Sequence, residues 1–452
     1  MKKTRTGIQG EAVRHKHYKG LRPLALLLAV ALLASGCSSN DDDRNNAAAG
    51  NTAVGEAETD GSASADKGGD ASAPSDSGDE SAGEPKPESS KAEDRAAPTK
   101  KPTGQQPQPQ AGLLTAGEWN DLSEWQDWEQ LNTRPEVQQL RDYWAFYRFD
   151  MLEVRVRGGG KAVADAIVRV VDEDGQFVWE ARTDASGRAF AYAGLLDEQS
   201  GQSKYSVEVE SGSGRKQFEN VPIPRGDVLE VELGEANEAP DDLDLMLVVD
   251  TTGSMDDELA YLQTELKDVV KRVSRDNGQQ LDIRVSTNFY RDKGDDYVVR
   301  PFPFTADIDT AVKQIGQQEA YGGGNFPEAV DQALQDAVHE HEWSADARAR
   351  LLFLVLDAPP HHDDPVIRKM KQLTQDAAEQ GIRIIPVVSS GADKNTEYLM
   401  RFMAVATGGT YLFLTDHSGV GGEHLDPTVG EFEVRPLNDL LVDVINRYVQ
   451  PN

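Results

Sequence analysis

From Leu243 to the C-terminus, apolar runs of strand length alternate with stretches whose apolar residues recur at helical spacing. "DLMLVVD", "LDIRVSTNFYRD", "DYVVRPFPF", "RLLFLVLDA", "IRIIPVVSS" and "TYLFL" read as strands. "DDELAYLQTELKDVVKRVSRD", "NFPEAVDQALQDAVH", "PVIRKMKQLTQDAAEQG", "NTEYLMRFMAVATGG" and "RPLNDLLVDVINRYV" read as helices. A strand that is apolar at successive positions must be covered on both faces, so this alternation predicts a mainly parallel sheet between two layers of helices. In such sheets ligands bind beyond the carboxyl ends of the strands. That rule selects two places: Asp250 with the following "TTGSM", and Asp357 with the following "APPHHDD".

These residues carry a resemblance. "DTTGSM" resembles the D-x-[ST]-x-S signature of the von Willebrand factor type A domain, and residues 243–452 fit that family's order of strands and helices. "YGGGNFPEAVDQAL" is similar to the family's second loop, in a variant reading G-G-G-D-x-P-E, and "LLFLVLDAPPHH" to its third. The resemblance implies a Rossmann-like α/β fold and a metal-ion-dependent adhesion site. Asp250, Thr252, Ser254, Asn325 and Asp357 would hold Mg²⁺, or Mn²⁺ or Ca²⁺.

Elementary chemistry agrees with that donor set. Mg²⁺ takes oxygen ligands and keeps several waters. Thr252 and Ser254 offer neutral hydroxyls from one turn, Gly253 permits the bend, and Asp250 and Asp357 supply charge directly or through water. An ion with mostly neutral nearest ligands keeps positive character and can accept a carboxylate from a partner. Asn325 stands where the broad family has threonine and the closer variant aspartate; its carbonyl can ligate the ion or hold a coordinating water. Helix capping by Thr252 or Ser254 is the competing account, with Asp256 and Asp257 in the first turn. Capping leaves the second strand-end acid and the glycine-rich loop unexplained.

Enzyme signatures are weaker. Thr252 occupies the position where an aspartyl phosphatase would need a second acid, and neither a G-x-x-x-x-G-K-[ST] loop nor a G-x-S-x-G elbow occurs. "HEHEW" places His339 and His341 two apart, so they cannot share a helix face. His361, His362, Asp363 and Asp364 form a polar loop that could serve a transition metal in a hydrolase, or be simply solvated.

The N-terminal half divides differently. Residues 1–36 carry basic residues, then "LALLLAVALL", then small residues: a secretory signal, too short in its apolar run for the roughly 20 residues of a spanning helix. "LASGC" resembles the lipobox of bacterial lipoproteins, which implies cleavage before Cys37 and acylation there. Lipid on Cys37 would hold the protein to the extracytoplasmic face of a bacterial membrane. Residues 37–111 are rich in Ser, Gly, Ala, Asp, Glu and Pro and read as a disordered acidic linker.

Residues 112–150 read as a helical lead-in with Trp119, Trp125, Trp128 and Trp144, either packed on the next domain or stacking on cell-wall sugars. Residues 151–236 alternate short β-type runs with turns such as "DEDGQ" and "ESGSGRK", which predicts a small antiparallel β-sandwich. This stretch resembles carboxypeptidase regulatory-like and Cna-B-type domains. "RGD" at Arg225–Asp227 reads as a turn entering a strand.

A net charge of −32, from 78 acidic and 46 basic residues, argues against nucleic acid and suits divalent cations. The lone Cys37 excludes an intrachain disulfide. The combined expectation is a multidomain, lipid-anchored binding or adhesion protein whose partner is a macromolecule. A metal-dependent hydrolase and a structural scaffold without a bound ion are the alternatives.

Overall fold

A computed structural model describes residues 108–197, 204–234 and 239–450. Cys37, the signal segment and the linker up to residue 107 lie outside the described residues.

The central element is an eight-stranded mixed sheet. Its order is Val299–Arg300, Asp282–Tyr290, Asp242–Asp250, Ala349–Leu356, Ile382–Val388, Tyr411–Leu414, Thr115–Trp119 and Arg435–Pro436. The five strands from Asp282–Tyr290 to Tyr411–Leu414 run parallel, and antiparallel strands close both ends.

The continuous apolar runs are explained by what covers each face. Along Asp242–Asp250, Leu243, Leu245, Leu247 and Val249 enter one core with the helices Leu259–Asn277 and Leu437–Val449. Met246 and Val248 enter the other core, with Val330–His339, Asp364–Glu379 and Lys394–Thr407. Alternate side chains thus leave the sheet in opposite directions into two dry layers. A short helix that the apolar pattern does not announce, Ile308–Ile315, is started by Asp307, whose carboxylate accepts from the amides of Asp309 and Thr310.

The aromatic segment departs from its expectation. It does contain helices, Trp125–Leu131 and Pro135–Trp144, but it opens with the strand Thr115–Trp119. That strand pairs with Tyr411–Leu414, from Ala116 opposite Leu414 to Trp119 opposite Tyr411. "TAGEW" has little strand signal of its own, and the free edge of the sheet supplies the reason for its conformation. Trp128 and Trp144 are buried, and Trp119 and Trp125 are half-buried against the same core. Trp128 meets Phe402 edge-on at 5.9 Å.

Residues 150–232 form two four-stranded sheets. Leu152, Val154, Val156, Val168, Val170, Val207 and Val209 alternate inward and share one buried cluster. The pairing is antiparallel except for Asp150–Gly158 with Leu229–Glu232, which is parallel. The "RGD" tripeptide sits in the bend before Leu229–Glu232, where Arg225 Nε donates to Asp227 at 2.9 Å. No helix among the described residues is long and apolar enough to cross a membrane.

Candidate metal centre

Asp250 ends the central strand and is fully buried. Its Oδ1 accepts from the Thr252 amide at 2.8 Å and the Thr252 hydroxyl at 2.7 Å. The Thr252 hydroxyl lies 3.1 Å from that of Ser254. The chain then enters a 3-10 turn, Gly253–Asp257, and the helix Leu259–Asn277. No side-chain cap bond is made at Thr252. Its hydroxyl is turned instead toward Asp250 and Ser254.

Asp357 follows the neighbouring parallel strand Ala349–Leu356 and accepts from Ser254. Adjacent parallel strands thus bring two acids and two hydroxyls from sites more than a hundred residues apart into one cluster. The structure joins Asp250, Thr252, Ser254 and Asp357. It does not join Asn325 to them: that side chain is exposed, and its amide donates to the Pro327 carbonyl at 3.4 Å.

The glycine-rich loop is strapped directly to the first. Gly253 donates to the Gly322 carbonyl at 3.1 Å, and Tyr321 to the Thr251 carbonyl at 3.0 Å. Gly322 and Gly323 have φ of +85° and +70°, left-handed values that a side chain would strain. Gly323 is also tightly surrounded, since a Cβ would lie 3.0 Å from Glu328 Oε1 and 3.3 Å from Thr252 Cβ. Gly323 is further held by its amide, which donates to Asp295 at 2.8 Å.

Two further acids lie here: Glu328, the last residue of the second-loop variant, and Asp292, which no motif singles out. Glu328 is only 3% exposed, and Asp292, 5% exposed, is held by His361 Nε2 at 2.6 Å. Glu328 reads in sequence as the opening of the helix "NFPEAVDQALQDAVH". The helix instead starts at Val330, and the Glu328 amide donates to the Pro359 carbonyl at 3.0 Å.

The electrostatics follow from crowding acids out of water. Burial raises the proton affinity of Asp250 and Asp357, and each is raised further by a neighbouring carboxylate: Asp292 for Asp250, and Asp250 for Asp357. Burial pushes Glu328 up to about 9, with Asp250, Asp292 and Asp357 adding to the effect. Oδ1 of Asp357 and Oε2 of Glu328 are buried without a hydrogen-bond partner, and the buried Tyr290 hydroxyl faces Asp250. Orphaned oxygens of this kind fit a site built around positive charge. No three His, Cys, Asp or Glu side chains among the described residues form a group that could hold an ion by themselves. The candidate donor set therefore includes the Thr252 and Ser254 hydroxyls and leaves positions for water.

The polar loop after Asp357 is dispersed. His361 goes to Asp292, and His362 stacks on Tyr143 at 3.5 Å. Asp363 accepts from the Val366 amide at 2.9 Å, capping the helix that begins at Asp364. His339 and His341 pair separately, with Asp376 at 2.8 Å and Asp336 at 3.0 Å.

The family comparison covers the whole of this arrangement. The model of the von Willebrand factor type A domain matches residues 244–421. These residues form a type A domain. Over 191 residues, 38% of this chain, the sequence is 27% identical to the putative ariadne-like RING finger protein R811 of Acanthamoeba polyphaga mimivirus. The chain spans 18% of that protein's length. The crystal structure of the conserved hypothetical protein BatB from Bacteroides thetaiotaomicron superposes with a TM-score of 0.32 and 12% identity, covering 46% of this chain and 98% of that one. Asp250, Thr252, Ser254, Glu328 and Asp357 all fall within the matched type A domain.

Proposed function

We propose that the chain is a membrane-anchored, extracytoplasmic binding protein that recognises a macromolecular partner through a divalent cation on its type A domain. The observation carrying this reading is the meeting of Asp250, Thr252, Ser254 and Asp357, with buried acid oxygens that have no hydrogen-bond partner. Asp250 and Asp357 would hold the ion with the two hydroxyls; Mg²⁺, Mn²⁺ and Ca²⁺ all accept such oxygens. A bound ion supplies a positive point to which a partner's carboxylate can attach. The strands keep Asp250 and Asp357 at fixed spacing, and the strap from Gly253 to Gly322 holds the turn ready before a partner arrives.

Binding without catalysis is the reading supported, because the side chains a hydrolase would draw on, His361 to Asp363, face three different elements. The two small sheets serve as a spacer in this account, and lipid on Cys37 as the anchor.

The test is calorimetric titration of Mg²⁺, Mn²⁺ and Ca²⁺ into wild type and Asp250→Ala, followed by capture from envelope extract with and without chelator. Saturable cation binding lost on Asp250→Ala, with capture that requires the cation, supports the proposal. A wild type that binds none of the three leaves the scaffold reading. Anchoring is tested by membrane fractionation, in which Cys37→Ala is expected to release the protein.

A further inference from the structure

We infer that an arginine-lined cleft between the small sheets and the type A domain is a binding site for a phosphate group. The cleft has a volume of about 330 Å³, part of it open to solvent. Arg182 ends the strand Phe177–Arg182, Arg188 opens Arg188–Ala193, and Arg383 is the second residue of Ile382–Val388; all three line the cleft. Two of these guanidiniums thus come from the small sheets and one from the central sheet. Arg383 stands at the amino end of its parallel strand, whereas Asp250 and Asp357 stand at carboxyl ends, so the cleft is remote from the metal centre.

Arg383 carries most of the case. It is 6% exposed, yet no carboxylate among the described residues is ion-paired with it. Its two terminal nitrogens donate to the carbonyls of Gly381 and Arg182, each at 3.2 Å. Two carbonyl dipoles leave a buried full charge without a counter-ion, which a fold tolerates poorly. The acids nearby are committed elsewhere. Asp184 is the carboxylate on the cleft wall, and its Oδ1 accepts from the Ser186 amide at 2.9 Å, the Ser186 hydroxyl at 2.6 Å and the Arg188 amide at 3.0 Å. Glu153 takes Nε of Arg188 at 3.0 Å from outside the cleft lining. Asp165 lies 3.4 Å from Arg182 but is held more closely by Arg350, at 2.8 and 3.0 Å.

Three arginines against one aspartate leave the lining two charges positive, in a chain whose net charge is −32. A phosphate group brings about 1.5–2 negative charges near neutral pH, which matches that excess, and guanidinium forks suit its oxygens. Glycines keep the walls close and the entrance clear. At Gly381 a Cβ would lie 2.9 Å from Cδ of Arg182, so the arginine stem crosses where a side chain would stand. Gly408 borders Nε of Arg383, which a Cβ there would approach only to 3.9 Å. A ligand touching Arg383 together with Arg182 or Arg188 would tie the small sheets to the type A domain.

The test is calorimetric titration of inorganic phosphate and of glycerol 3-phosphate into the chelator-treated full chain at constant ionic strength, using wild type, Arg383→Gln, Arg188→Gln and Asp250→Ala. Wild type is expected to bind one phosphate group saturably, and losing one charged donor is expected to weaken binding by about tenfold or more in each arginine variant. Asp250→Ala is expected to bind phosphate like wild type. Preference for the ester or for the free ion supports the site in either case and tells which source it serves. Phosphate is also expected to raise the melting temperature of wild type and to do so less for Arg188→Gln, a linkage that a purely structural arginine would not show. If Arg383→Gln does not fold, Arg188→Gln decides: a loss of about tenfold supports the site, and undiminished affinity overturns it. No saturable binding to wild type, or binding lost on Asp250→Ala and kept on Arg383→Gln, overturns it as well.

Discussion

His424 is held between two carboxylates, with Nδ1 at 2.8 Å from Asp416 and Nε2 at 2.8 Å from Glu258. Burial alone would lower its proton affinity, but the bond and charge of Glu258, then those of Asp416, outweigh it and raise the pKa. A histidine raised in the fold contributes stability fully below its unfolded value of about 6.5, and that contribution disappears as pH rises through the folded value. His424→Gln is therefore expected to cost more stability at pH 6 than at pH 9. Breaking a buried pair typically costs about 3–5 kcal/mol, which sets the scale at the acid end. Melting curves of the two proteins across that range provide the measurement, and a gap that is constant with pH would contradict the assignment. A second prediction concerns Arg401, which grips Asp121 at 2.6 and 3.0 Å with both residues buried. Asp121→Ala leaves that guanidinium without its main partner and is expected to destabilise by about 3–5 kcal/mol. Denaturant unfolding measures it.

Among the elements, the strand Thr115–Trp119 has the least support from its own residues. Its entry is fixed by Glu265 on the helix Leu259–Asn277, whose buried carboxylate accepts from the amides of Gly112, Leu113 and Leu114 at 2.8–3.0 Å. Glu265→Ala deprives three amides of their acceptor and is expected to cost about 3 kcal/mol. Hydrogen exchange locates the loss: Leu114 and Ala116 should lose protection while the central strand Asp242–Asp250 keeps it. Uniform loss across the sheet would show that the strand is not a separable element. The helix Val330–His339 is shorter than its apolar periodicity suggests because residues before it are committed to loop contacts. That shortening leaves Glu328 free to point into the site.

For the whole molecule, the core does not stop at residue 239. The buried cluster that includes Met246 and Leu354 continues through Phe402 to Trp128, Phe146 and the small sheets. Tyr192 Oη donates to the Val405 carbonyl at 2.8 Å, and Arg350 binds Asp165 at 2.8 and 3.0 Å. A fragment of residues 239–452 would expose the edge of Tyr411–Leu414 and the surface under Trp128. Each kcal/mol lost in a domain of this size lowers Tm by about 2–4 °C, and several are lost here, so the fragment is expected to melt at least about 10 °C below residues 108–452. Coincident melting would show that the type A domain is self-sufficient.

Much of this arrangement is legible in the residues themselves. Helical and strand periods repeat with the burial they serve, so adjacent positions such as Leu245 and Met246 on one doubly covered strand belong to opposite layers by alternation alone. Asp250 and Asp357 stand out because each ends an apolar run, and Thr252 and Ser254 because they share a turn with Asp250. The inward placement of Glu328, the exposure of Asn325 and the strand Thr115–Trp119 are decided only in three dimensions. The first and last depend on partners distant along the chain: Glu328 on Pro359, and the strand on Glu265, which meets Gly112 across 153 residues. Such a bond leaves no local pattern, because its energy is gained only after the sheet has brought the two ends together.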